Sequence, residues 1–436
     1  MKIKPSFWTV LLILQGLSTV RTSQAQTVDT QDIQRIIQTL ADDSMRGRAA
    51  LTPDIEKAAD FIAQEFQKAG LEPYAEKNYR QSFHVTKVSS EEQRIEVNGA
   101  ALPPEEFLII SSQPTLSWDK QAGITSLEIK AGEDFSTRFR DIVRNDTSNR
   151  VVWVDPSFES MMGRFKKIFA RENVVTKQET ATYGPSKVFI LKRTAAHDFR
   201  IEARTKHEDF PLFNVAAVIP GKSKADEFVV FSAHYDHIGI LDPVNQDSIA
   251  NGADDDASGT TAMIALAKHF KKLGNNERTL IFVAFTAEEI GMFGSKYFSN
   301  RIDPDKVVAM INIEMIGKDS KFGPNSLYVT GYHHSDLAQL MQSNVKGTAF
   351  TFHPDPYPQQ NLFYRSDNAV LAALGVPAHT FSTSQIDKDE FYHTVKDELS
   401  TLDINNIKSS IEAIAQGVTG IVNGTQTPSR VEKLKD

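Results

Sequence analysis

The chain has 436 residues and a net charge of −8, with 40% apolar and 24% charged residues, the mix of a globular protein rather than a disordered one. The acidic balance comes without basic runs, so the electrostatic footprint of a nucleic-acid binder is missing. Cysteine is absent, which excludes disulfides, zinc–cysteine sites and thiol nucleophiles together.

Lys2 and Lys4 precede a mostly apolar, uncharged run over 7–17, and Ser23-Gln24-Ala25 places small residues where a signal peptidase reads. Residues 1–25 are therefore expected to be a secretory signal; the run is too short to span a bilayer, which takes about 20 residues. The chain is expected to be exported, periplasmic or extracellular, without a membrane span. Residues 30–41 read as a helix with Ile33, Ile36, Ile37 and Leu40 on one face. A second helix starts near Thr52-Pro53, buries Ile55, Ala59, Ile62 and Phe66, and ends at Gly70. Between 90 and 205 the texture changes to short β-like runs (106–111, 150–155, 187–193) separated by polar turns.

From Asn214 the pattern becomes strand, loop, helix, strand, the mark of an α/β layer. Strands are expected over 227–234, 279–286, 307–316 and 376–382, with a helix over 258–273. Asp403 caps a final helix carrying Ile404, Ile407, Ile411, Ile414 and Val418. At about 100–200 residues per domain, this gives an N-terminal part of the main domain (26–89), a β-rich insert (90–205), the main part (206–424) and a polar tail (425–436).

Ligands of open α/β sheets bind outside the carboxyl ends of strands, and acidic or histidine groups recur there. His234-Tyr235-Asp236 closes one strand. Gly252-Ala253-Asp254-Asp255-Asp256-Ala257-Ser258-Gly259 is a tight acidic loop entering a helix. Glu288-Glu289 follows the next strand, Glu314 falls inside the run Met310 to Ile316, and His393 lies in the late loop Phe391-Tyr392-His393-Thr394. Each has a bland reading: a surface hydrogen bond, a solvated turn, or carboxylates favoured by a helix start. Glu314 resists it, because a carboxylate within a buried strand is costly unless paired or metal-bound. Together the groups supply the imidazoles and carboxylates that suit zinc. There is no His-Glu-x-x-His helix, no Gly-x-Ser-x-Gly elbow and no phosphate-binding Gly-x-x-x-x-Gly-Lys loop.

In this order and spacing the motifs resemble the secreted bacterial dizinc aminopeptidases, relatives of glutamate carboxypeptidase, glutaminyl cyclase and the transferrin receptor. The resemblance covers about residues 30–90 and 210–424. It implies a three-layer α/β fold, a mixed sheet flanked by helices, with a β-rich inserted domain that stands where some relatives carry a protease-associated domain. It implies two Zn2+ per chain and a peptide substrate. His234 and Glu314 would ligate one zinc, Glu289 and His393 the other, and Asp255 would bridge them. Glu314 replaces the Asp of close relatives. Asp236 would orient His234, Glu288 would be the general base, and Tyr392 would hydrogen-bond the developing oxyanion. Arg365, in Arg365-Ser366-Asp367-Asn368, is a candidate substrate contact. An aminopeptidase leads; a carboxypeptidase or dipeptidase shares the metal core. A single-zinc glutaminyl cyclase and a receptor-like relative with decayed ligands are the remaining alternatives, and all five ligand positions here hold His, Asp or Glu.

Overall fold

A computed structural model describes residues 28–171, 174–176, 184–192, 195 and 198–434. The expected export signal lies outside the described residues. Helix α1 (Thr30–Leu40) is capped by Asp29, which accepts from the Gln31 amide, and buries the Ile33, Ile36, Ile37 and Leu40 stripe. In α2 (Asp54–Lys68) Pro53, not Thr52, occupies the cap position. The chain then leaves the main sheet along β1 (Arg80–Val97). The insert follows, with β2 (Phe107–Ile110), β3 (Thr125–Ile129), α3 (Phe135–Arg144), β4 (Arg150–Val154), α4 (Glu159–Arg171) and β5 (Lys187–Leu191). The long β6 (Phe199–Ile219) returns.

Strands β1 and β6 pair antiparallel from Val97↔Phe199 to Arg80↔Val215. Positions 90 and 205, where the texture changes, thus fall in the middle of one ribbon of the main sheet, whose Ile95 and Ile201 pack with Val151 and Val188 of the insert. The insert's own sheet runs β2-β5-β4-β3, and two helices accompany it that the strand-like runs did not announce. In α3 the apolar positions Phe135, Phe139 and Ile142 recur at helical spacing.

The main sheet is built around β7 (Lys224–His234), β8 (Arg278–Phe285) and β9 (Val307–Ile313), with α5 (Gly259–Leu273) between the first two. Beyond them lie β10 (Ser326–Val329), β11 (Thr351–Pro354) and β12 (Ala378–Ser382). The order is β11-β10-β12-β9-β7-β8-β6-β1. Strands β12, β9, β7 and β8 are mutually parallel, and β6 joins β8 antiparallel. Parallel strands are covered on both faces and so read as continuous apolar runs; every residue of β8 is buried.

One face packs α1, α2, α5 and the last long helix, α6 (Ile404–Gly417), around Phe231, Phe282, Ile311 and Phe270. The other buries Val230, Val283, Phe298, Leu371 and Val376. Each such side chain contributes about 1.5–3 kcal/mol of transfer free energy. The segment expected as a polar tail packs down as well: Val431 is buried and Arg430 donates to the Val307 carbonyl oxygen. No helix among the described residues is long and apolar enough to cross a membrane.

Candidate metal centre

The parallel strands end on one edge, and their carboxyl ends deliver the polar residues. His234 is the last residue of β7. Glu288 and Glu289 follow β8, which ends at Phe285. Strand β9 stops at Ile313 rather than Ile316, because Met315 takes a positive φ of 49° and turns the chain. Glu314 therefore sits at the strand's mouth, not within it. Asp255 comes from the turn before α5, and His393 from the loop after β12.

Asp255 is buried and faces two ways. Its Oδ1 lies 3.2 Å from His234 Nε2, and its Oδ2 lies 3.3 Å from His393 Nε2. Glu289 Oε2 is 3.1 Å from the same His393 nitrogen. His234, Asp255 and Glu314 offer ligand atoms within 4.8 Å of one another, as do His237, Asp255 and Glu289. The five expected ligand positions are thus brought together, with His237 as a sixth group that the sequence reading missed. The signal was a histidine immediately after His234-Tyr235-Asp236, passed over because only its tertiary neighbours reveal it.

Asp236 differs from its expected task. Its carboxylate lies 3.9 Å from His234 Nδ1, and that nitrogen contacts the Asp236 main-chain carbonyl at 3.1 Å instead. A carbonyl can only accept, so Nδ1 carries a proton, and Nε2 is the nitrogen turned toward Asp255. The Asp236 carboxylate accepts from the amides of Glu288 and Glu289 at 3.1 and 3.4 Å.

Buried groups away from the motifs hold the loops. Arg48, fully buried, donates to the carbonyl oxygens of Tyr235, Leu40, Asn251 and Gly252. Asp397 accepts from the Asp254 and Asp255 amides, each at 3.0 Å. Asp256 accepts from the amides of His234, Gly259 and Met315, tying three loops together. Ser366 donates a short hydrogen bond to Glu314 and accepts one from Asn312.

So many carboxylates in a dry site cannot all ionise unaided. Burial raises Asp236 to about 6 and, with Asp397 beside it, Asp254 to about 7. Burial, against the pull of His234, also pushes Glu288 well above the usual carboxylate range. Burial drives the His393 imidazole down, yet Asp255 and Glu289 outweigh it and raise it to about 10. The site thus demands positive charge between these groups. His234 Nε2 is buried without a hydrogen-bond partner, a nitrogen aimed where a cation would sit. Donor chemistry and charge both fit divalent metal.

Beside the centre is a cavity of about 290 Å3, lined by Glu288, Glu289, Glu314 and Tyr392 among others. The Tyr392 ring stacks on His393 with centroids 3.9 Å apart. Burial and the surrounding carboxylates push its phenol far up, so it keeps its proton. Arg365 is exposed at the cavity wall, 3.4 Å from Gln360 Oε1.

Residues 214–418 match the model of peptidase family M28. This segment, a little under half of the chain, is similar to M28 peptidases. Among curated proteins, the chain is 28% identical over 243 residues to a probable leucine aminopeptidase of Trichophyton verrucosum, covering 53% of this chain and 62% of that one. Leucine aminopeptidase 1 of Emericella nidulans is 27% identical over 241 residues, covering 50% and 57%. The chain thus spans about three fifths of the length of the curated relatives it matches. Two solved structures share the fold. An aminopeptidase from Aneurinibacillus sp. strain AM-1 superposes with a TM-score of 0.57 at 18% identity, covering 94% of this chain and 96% of that one. A zinc aminopeptidase from Bacillus subtilis gives 0.55 at 16% identity, covering 94% and 99%. The three-layer arrangement of the M28 segment, a mixed sheet flanked by helices, is the arrangement expected from the motifs.

Proposed function

We propose that the protein is an exported dizinc aminopeptidase that removes apolar residues from the amino ends of peptides. The observation that carries this reading is Asp255, whose two carboxylate oxygens face separate donor groups on either side. His234 and Glu314 would hold one zinc, Glu289 and His393 the other. When bound, the pair supplies Lewis-acid polarisation of a carbonyl and a water of lowered pKa.

The remaining residues have work of their own. Glu288 lines the cavity and is left over from the ligand set. Its raised proton affinity suits a base that takes a proton from the attacking water and returns it to the leaving amine. Tyr392, kept protonated, donates to the oxygen that gains charge. Met292, Met315, Leu362 and Ile386 form the apolar part of the cavity wall and suit an apolar first residue. Glu288, Glu289 and Glu314 give it the negative character that a substrate ammonium needs. A carboxypeptidase would want a cluster of guanidiniums for the substrate's carboxylate; Arg365 is the one arginine lining this cavity. The short basic, apolar and small-residue pattern of 1–25 supports export.

Purified protein should contain two zinc ions per chain and should cleave peptides with free amino ends. Equal rates on N-acetylated peptides would overturn the aminopeptidase assignment, and a single ion would point to the cyclase chemistry. Recovery of an intact Met1 from the extracytoplasmic fraction would overturn export.

A further inference from the structure

His237 lies outside the five-ligand set that the resemblance implies, yet it is built into the centre. It is 1% exposed. Its Nδ1 is 2.7 Å from Glu289 Oε1 and 3.8 Å from Asp255 Oδ2. Its Nε2 is buried and has no partner. The ring's position is fixed from behind: Gly252 has φ +58°, and a Cβ there would stand 2.6 Å from His237 Cγ and Cδ2. Only a glycine lets the acidic loop pass this close to the imidazole. On the other side the ring meets His393 edge to face, centroids 5.7 Å apart at 69°.

Zinc bonds of ~2.0–2.1 Å in a tetrahedron place neighbouring donor atoms ~3.3 Å apart. On the Glu289 side, His237 Nδ1 is 2.7 Å from Glu289 Oε1 and 3.8 Å from Asp255 Oδ2, and His393 Nε2 is 3.1 Å from Glu289 Oε2 and 3.3 Å from Asp255 Oδ2, distances scattered about that edge length. We infer that His237 ligates the metal on the Glu289 side through Nδ1. That position then has four protein donors, His237, Asp255, Glu289 and His393. The opposite one has three, His234, Asp255 and Glu314. Four protein donors close a tetrahedral site, whereas three leave a coordination position free. The pair is therefore unequal: one ion is enclosed by protein, and the open position belongs to the His234 side. The inference rests on the two-metal reading above.

The rival role is a hydrogen bond alone, with Nδ1–H donating to Glu289. Two substitutions separate the roles, because the tips of Asn and Asp both reach the place of Nδ1. His237→Asn keeps an N–H donor but is a poor ligand. His237→Asp offers a ligand oxygen but cannot donate.

The full-length protein and both variants would be stripped with a chelator and titrated with cobalt. Stepwise affinities are then read. The wild type should bind two ions. His237→Asn should bind one ion at least about 10–100-fold more weakly, the loss typical of even a supporting residue. His237→Asp should keep both. The reverse order, Asn retained and Asp lost, would overturn the inference while leaving the two-metal reading standing. A wild type that binds fewer than two ions would overturn both. Should either variant fail to fold, X-ray absorption of the zinc-loaded wild type decides. Three imidazoles shared over two ions support the assignment, and two refute it.

Discussion

In the insert, Phe139 of α3 stacks with Phe165 of α4 and Phe189 of β5, with ring centroids 4.3 and 4.6 Å away, and Phe135 joins the cluster. Its one buried charge among the described residues is Lys187, whose ammonium donates to main-chain oxygens of Asp146 and Ser148. At the carboxyl end of the main sheet, comparable depth is occupied by Asp236, Asp254, Asp255, Asp256, Asp367 and Asp397. One region gains stability from burying rings. The other spends stability by desolvating carboxylates that need a counter-charge. The contrast separates a part of the molecule that holds itself together from a part arranged to hold something else.

The largest expected effect tests the second region. Glu288→Gln keeps shape and polarity but removes the proton acceptor. Metal content should stay unchanged while kcat falls by roughly 10²–10⁴, the worth of a positioned base. Full activity, or loss of metal, would show that Glu288 is not the base. In the first region, Phe139→Ala should cost about 3–5 kcal/mol of stability in denaturant unfolding. Metal content and the kcat of the folded fraction should hold. A fall in metal affinity would mean that the two regions are coupled through the ribbon β1–β6.

Much of this contrast was legible in the sequence where the signal is local. The buried parallel strands announce themselves as apolar runs with acidic or histidine groups near their ends, and the family resemblance then picks His234, Asp255, Glu289, Glu314 and His393 from those groups before any contact is known. What could not be read depends on distant partners. Asp397 matters because its carboxylate meets amides more than a hundred positions earlier in the chain. Arg48 matters because four carbonyls converge on it, and His237 because Gly252 lacks a side chain. Glu314 was placed inside a strand because nothing in Met315 signals a left-handed turn. The insert's α3 was hidden differently: its Phe135, Phe139 and Ile142 spacing was present, but the neighbouring β-like runs set the expectation.

A third expectation concerns a buried group of the main domain outside the acidic centre. His379 is 1% exposed, its Nδ1 contacting the Thr330 carbonyl and its Nε2 the Ser335 hydroxyl, each at 2.7 Å. Burial pushes the imidazole from 6.5 down to about 4. The unfolded chain takes up this proton near pH 6.5, and the folded chain resists until about pH 4. The group's contribution is therefore complete above pH 6.5 and is lost as pH falls through that window, about 3 kcal/mol in all. The raised carboxylates act with the opposite sign in the metal-free protein, so the difference between wild type and His379→Asn is the quantity to measure. That difference should shrink between pH 7 and pH 4.5 in denaturant melts of metal-free protein. A constant difference would mean that His379 does not titrate as its burial requires.

The smallest effect sharpens the acidic region itself. The Asp236 main-chain carbonyl holds the His234 ring, whereas its carboxylate holds the Glu288–Glu289 turn. Asp236→Asn leaves the carbonyl untouched and turns one acceptor oxygen into an amide NH2 group facing an N–H donor. Supporting residues of metal ligands are worth about 10–100-fold in affinity, roughly 1.4–2.7 kcal/mol. The loss should fall on the Glu289-side ion, with the His234-side ion retained. Stepwise metal titrations check this, using Glu314→Gln to mark the step that belongs to the His234 side. If Asp236→Asn weakens the same step as Glu314→Gln, the carboxylate orients His234 after all, and the division of labour between the two halves of that residue is wrong.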